Sequence, residues 1–139
     1  MRKIGIDYGR RRIGVAITDE LGVTSRPLTV IDRRTVNDPI GLLAAIVTEQ
    51  APGLVVVGLP LDHNDDETVM SREVRAFAAK LAAAITVPIE FVDESLTSRR
   101  ASLLMMTRRK KQRRDKTQVD RIAACLILET HREDSGCAA

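Results

Sequence analysis

The chain has no tryptophan, one tyrosine and two phenylalanines, so aromatic residues make up only 2% of its 139 positions. Proteins that grip single-stranded nucleic acid stack successive bases on several rings, and this inventory excludes that mode. Phe77 and Phe91 fall in apolar stretches and are expected in the core, leaving Tyr8 as the only stacking surface. Cysteine is equally scarce. Cys125 lies in the apolar run IAACLIL and Cys137 in the polar run EDSGCAA. Two thiols so differently placed make neither a disulfide framework nor a zinc site. The two histidines form no legible Ser-His-Asp or Cys-His arrangement. His63 reads as a solvated loop residue, and His131 as a helix-end residue that favours the helix dipole. No apolar run approaches the roughly 20 residues needed to cross a bilayer, and no basic-then-apolar leader opens the chain. A cytoplasmic protein with no membrane partner is expected.

What is present suits an ordinary globular domain. Hydrophobic residues reach 44% and charged residues 29%, and at this length roughly two-thirds of the unfolded surface can be buried. A single domain over 1–131 with a disordered tail at 132–139 is expected. The formal net charge is +3, but it is unevenly spread. TRRKKQRRDK, residues 107–116, holds seven basic residues and one acid, a net of +6; subtracting that from +3 leaves the remaining residues at −3. A block of this kind marks a polyanion contact or a solvated tail more often than a structural element.

Periodicity supplies the elements. Residues 2–8 and 12–18 run apolar around a glycine-containing turn and predict a hairpin. GVTSRPLTVIDR predicts a third strand, with Pro27 placing its start near an edge. Over 38–51, Leu42 and Ile46, and Leu43 and Val47, are spaced for a helix with Asp38 as N-cap and Pro39 in the first turn. GLVVVGLP (53–60) and VPIEFVDE (87–94) read as strands buried on both faces. Between them Val74, Phe77, Ala78 and Leu81 mark a helix over about 67–84. A helix over 98–106 leads into the basic block, and Val119, Ile122, Ala123, Leu126 and Ile127 define a closing helix. Tight turns favour antiparallel pairing and helical connections favour parallel pairing. The expected fold class is therefore α/β: a mixed five-stranded sheet, three antiparallel strands then helix-linked parallel strands, with helices on both faces.

In open α/β sheets, ligands gather at the carboxyl ends of the strands. Asp7 ends the first strand, Asp93 and Glu94 end the last, and Asp120 falls in the first turn of the closing helix. Carboxylates grouped at one edge, without histidine or cysteine nearby, suit Mg2+ or Mn2+. A pair of such ions about 4 Å apart activates a water and stabilises the leaving oxygen in phosphodiester hydrolysis. Duller accounts exist for each acid alone: an Asx turn for Asp7, an N-cap for Asp93, a capping box with Thr117 for Asp120. Their joint placement favours metal. DHNDDETVMSRE (62–73) imitates a calcium loop, but Glu67 stands where glycine is required and a strand precedes it. Its acids are expected to cap the following helix.

The stretches GIDYGRRRIGVA, VVVGLP, DESLTS and DRIAACLIL stand in an order that resembles the YqgF/RuvX-like family, over essentially the whole chain to Thr130. The resemblance implies a ribonuclease H-like fold and a metal-dependent nuclease that processes the 5′ end of pre-16S rRNA, resolves Holliday junctions, or both. Its acidic triad falls on Asp7, Glu94 and Asp120, with Asp93 as the substitute for Glu94. Two departures stand out. Ser95 replaces the arginine common after the last strand, so Arg99 or Arg100 is expected to take over phosphate binding. The loop DHNDDE lacks the glycine that the family often has there.

The remaining nucleic-acid contacts are expected from Arg10, Arg11 and Arg12 beside Asp7, and from Arg108, Arg109, Lys110, Lys111, Arg113, Arg114 and Lys116. With so few rings, backbone shape rather than base identity is the expected readout, which favours structured RNA or branched DNA. A symmetric two-strand cut calls for a homodimer. The competing reading is a non-catalytic nucleic-acid-binding module in ribosome assembly. A nucleotide-binding reading, suggested by the Gly-Ile-Asp-x-Gly turn of actin-like ATPases, needs two such domains and ranks last.

Overall fold

The computed structural model describes residues 1–62, 64, 66–93 and 116–137, with side chains of the last segment over 122–132. Five strands, β1 (Lys3–Asp7), β2 (Arg12–Thr18), β3 (Ser25–Asp32), β4 (Leu54–Leu59) and β5 (Ile89–Asp93), form one sheet in the order β3-β2-β1-β4-β5. β1 pairs antiparallel with β2 and parallel with β4, β2 pairs antiparallel with β3, and β4 pairs parallel with β5. The expected mixed sheet is present. Pro27 lies on β3, an edge strand, where a missing N–H costs least. Opposite it the ladder slips: Val15 faces Thr29 while Ala16 faces Pro27, so Leu28 is an extra residue in a bulge.

Helices α1 (Pro39–Gln50) and α2 (Val69–Ala84) cover one face of the sheet, and α3 (Lys116–Cys137) covers the other. Asp38 caps α1 through Gly41 N–H at 3.0 Å, and Pro39 opens the helix. α2 starts at Val69, and its cap is Thr68 in a reciprocal box with Ser71. The acids expected to cap α2 do other work. The Asp62 carboxylate accepts from Asn64 and Asp66 N–H at 2.8 and 2.9 Å, tightening the preceding loop as an Asx turn does.

Alternation along the strands sorts the two faces. Ile4, Ile6, Ile13, Val15, Ile17, Val55 and Val57 are fully or almost fully buried against α1 and α2, which contribute Leu43, Val47, Val74, Phe77 and Leu81. Ala16, Leu54, Val56 and Val92 point the other way, against Ala124, Ile127 and Leu128 of α3. β4 is buried at every position, as its unbroken apolar run predicts.

Three expectations need correction. Phe91 is not a core residue: it is 37% exposed, because β5 is an edge strand, and the Arg75 guanidinium lies 5.2 Å from its ring centre. His131 does not sit at a helix end. α3 continues for six further residues, and the imidazole is buried, with Nδ1 3.4 Å from Lys3 Nζ and Nε2 3.6 Å from Glu90 Oε1. The buried stripe of α3 is also broader than expected, because Ala124 and Leu128 pack on the sheet beside Ala123, Leu126 and Ile127. α3 runs to Cys137, and Arg132 donates to the Val23 carbonyl at 2.7 Å.

Candidate nucleic-acid active site

Asp7 ends the central strand of the sheet, half-buried and level with Gly14 of β2. Its face follows from its neighbours. Ile4 and Ile6 point toward α1 and α2, so Gly5 and Asp7 belong to the α3 face. The helix lies unusually close there. A Cβ on Gly5 would stand 2.6 Å from Leu128 Cγ and 2.9 Å from the Ala124 carbonyl oxygen. Only glycine permits that approach, since the second obstacle is backbone and cannot rotate away.

The approach also fixes a register. Lys3 is beside His131, and Gly5 is beside Ala124 and Leu128, so α3 runs antiparallel to β1. Two residues along β1, about 6.6 Å, match four residues of helix, about 6 Å. Asp7 stands two residues beyond Gly5, and Asp120 stands one turn before Ala124. α3 begins at Lys116, so Asp120 is its fifth residue and lies just past the first turn in which it was expected.

Asp93 behaves differently. Ile6 pairs with Val57, and Leu59 pairs with Asp93, so Asp7 and Asp93 are on strands separated by β4. Two strand spacings put their backbones about 10 Å apart. Val92 packs against α3 and Glu90 meets His131, which leaves Asp93 facing α1 and α2. Asp93 therefore lies on the opposite side of the sheet from Asp7. Glu94, Arg99, Arg100, His63, the helix expected over 98–106 and the basic residues 108–114 lie outside the described residues, as do the side chains of Lys116 and Asp120. Among the described residues no three His, Cys, Asp or Glu side chains form a group that could hold a metal ion.

The arginines of the β1–β2 turn divide. Arg11 is exposed, and Arg12 is half-buried at the start of β2. Arg10 is held by Glu73 of α2: its Nε donates to Oε2 at 2.9 Å, and its second amino group donates to the same oxygen. The Glu73 carboxyl is held below its ordinary pKa, chiefly by the Arg10 hydrogen bond. Tyr8, on the α2 side, is packed rather than offered for stacking. Phe77 lies 4.8 Å from its ring centre and Arg33 5.2 Å, while Arg33 also donates to the Tyr8 hydroxyl at 2.9 Å and to the Gly9 carbonyl at 3.3 Å. Sequence reasoning missed this brace. Its hydrogen-bond partners, Arg33 and Glu73, the latter accepting from the Tyr8 hydroxyl at 3.5 Å, are 25 and 65 residues from Tyr8, beyond the reach of any local spacing rule.

A mixed sheet of this order, sandwiched between helices, with an acid ending its central strand, defines a domain of the ribonuclease H-like fold class. The model of the RuvX family, described as Holliday junction resolvase, matches residues 1–132, and the chain belongs to that family. Relatives named "Putative pre-16S rRNA nuclease" include one from Syntrophus aciditrophicus, 37% identical over 94% of this chain and 87% of the relative. Another, from Synechococcus elongatus, is 40% identical over 91% of this chain and 85% of the relative. Among solved structures, T. thermophilus RuvC in complex with Holliday junction substrate superposes with a TM-score of 0.60 at 16% identity, over 96% of each chain. The fowlpox virus Holliday junction resolvase gives 0.55 at 12% identity, over 97% of this chain and 99% of that one. At such identities these two speak for the fold alone. Among the described residues no helix is long and apolar enough to cross a membrane.

Proposed function

We propose that this chain is a metal-dependent endonuclease acting on structured nucleic acid, trimming the 5′ end of pre-16S rRNA, resolving Holliday junctions, or both. The observation that carries the reading is the seating of α3 on Gly5, which supports a site in which the first turns of α3 stand beside Asp7. Asp7, Glu94 and Asp120 are the residues assigned to hold Mg2+ or Mn2+, with all-oxygen donors that suit these ions. The face of Asp93 weighs against it as the ligand. Asp93 faces α2, whereas Glu90 and Val92 are the positions of β5 that share Asp7's face, so Glu94 is the acid assigned. When bound there, divalent ions in a pair lower the pKa of a water and offset charge on the leaving oxygen.

The chain's own residues supply the rest. Asp7 anchors the site on the central strand, paired on both edges. Arg11 and Arg12, with the basic residues 108–116, Arg99 and Arg100, bind phosphates flanking the cut. The non-catalytic module is the alternative, and it needs none of the acids. Purified protein is mixed with a pre-16S rRNA fragment and a four-way DNA junction in Mg2+ or Mn2+. Cleavage of at least one substrate is expected, falling at least a hundredfold in Asp7→Asn. Absence of cleavage, or cleavage unchanged by the substitution, overturns the nuclease reading. A symmetric junction cut further requires two copies, so the active species on junctions should sediment as a dimer.

A further inference from the structure

On the α2 side of the β1–β2 turn lies a cavity of about 360 Å³, lined by Tyr8, Arg33, Ile40, Glu73, Phe77 and Lys80 among others. Its floor is apolar and its rim is cationic. Lys80 is exposed and stands two turns beyond Glu73 on α2. Arg33 is half-buried, and one of its amino groups is committed to Tyr8 and Gly9. Arg10 reaches the same carboxylate from the turn. Among the described residues Glu73 is the one acid lining the cavity. Three cations against one carboxylate leave a local charge of +2.

The way Arg10 meets Glu73 says what else fits. Two guanidinium N–H groups converge on a single carboxylate oxygen. A guanidinium fork is satisfied equally by a phosphodiester oxygen, because it recognises a planar or tetrahedral oxyanion by charge and donor spacing. The two side chains are far enough from burial, 65% exposed for Arg10 and 34% for Glu73, that Glu73 can be left to water when Arg10 departs.

We propose that this cavity is a subsite for a backbone phosphate of bound nucleic acid, taken by Arg10, Arg33 and Lys80, and that Glu73 occupies the phosphate's place in the free protein. It rests on the nucleic-acid-binding part of the proposed function but concerns a different phosphate from the one cut. Tyr8 follows Asp7 and faces the other side of the sheet, so a strand passing over this edge meets both faces in succession. Glu73 then acts as a guard. Any ligand that takes Arg10 must displace a carboxylate, which weakens contact with polyanions in general and favours those that reach all three cations.

Binding of a four-way DNA junction and of a pre-16S rRNA fragment, measured in EDTA across a salt series, tests this without cleavage. Glu73→Gln should bind about three- to tenfold more tightly, with the slope of log affinity against log salt steeper by about 0.7–0.9. Adding Arg10→Gln should abolish that gain. Lys80→Gln, at an exposed position that leaves folding intact, should weaken binding about two- to threefold and flatten the slope by a similar increment. An unchanged slope in Glu73→Gln, a gain that survives Arg10→Gln, or a Lys80→Gln variant that matches wild type overturns the subsite. Wild-type protein that binds neither nucleic acid overturns the proposed function as well, whereas wild-type binding with unresponsive variants overturns the subsite alone.

Discussion

The two faces of the sheet are built from the same strands but to different scales. Toward α1 and α2 the central strands present Ile4, Ile6, Ile13, Val15 and Ile17. Toward α3 the alternating positions of those strands hold Gly5, Gly14 and Ala16, and the helix answers with Ala124. The large face is a packed core whose stability comes from buried area. The small face gives up that area so that a helix can lie against the strand backbone. Asp7 is on the small face, and its close-fitting helix is the one that carries Asp120. The large face thus provides stability, while the small face sets distances.

Substitutions on each face separate these two roles. The largest loss of stability is expected from the core: Leu81→Ala should cost about 2–5 kcal/mol in chemical denaturation, with cleavage per folded molecule unchanged. Gly5→Ala should cost less, about 1–3 kcal/mol from overpacking, yet lower cleavage and Mn2+ affinity at least tenfold, because α3 must move away from β1. Shortening the side chain in Gly5→Ala/Leu128→Ala should restore little, since the Ala124 carbonyl still blocks the new methyl group. Equal activity in Gly5→Ala and wild type would show that the small face has no part in setting the site.

Smaller effects come from the surface of either face. Glu73 and Glu67 have their pKa values lowered, chiefly by hydrogen bonds from Arg10 and Arg75. Asp19 and Asp32 are lowered chiefly by backbone N–H groups of Val23 and Arg34. A depressed folded-state pKa contributes stability that is present above the unfolded values, 4.5 for Glu and 3.8 for Asp, and is lost as pH falls through the folded values. The melting temperature should hold steady from pH 7 to about 5 and fall below pH 4.5, with a shallower decline in Glu73→Gln. The smallest change is expected at Ala51, which caps α1 with φ +49°. Ala51→Gly relieves a left-handed alanine, and calorimetry should find it more stable by about 0.5 kcal/mol.

Most of this architecture was legible because it is local. The hairpin around Gly9, the Asp38 cap and the uniformly apolar β4 each follow from a few neighbouring residues. Errors arose where burial depends on position within the sheet. Phe91 looks like a core residue by its neighbours but sits on an edge strand. Asp93 and Glu94 looked equivalent at a strand end, and only the pairing of β5 with β4 put Asp93 on the α2 face. Gly5 carried a signal that was available, a glycine between two buried isoleucines, but its partners lie more than a hundred residues away. The brace around Tyr8 had no such signal.

The central place of β1 has a consequence for synthesis on the ribosome. Once made, β1 can pair at once with β2, yet its other edge waits for residues 54–59, and its glycine is covered only when residues 124 and 128 arrive. Non-local closure of this kind is slow and comes last. A nascent chain therefore carries the aspartate long before it has the helix to go with it, and the pocket around Gly5 closes only once residues 124 and 128 have been made.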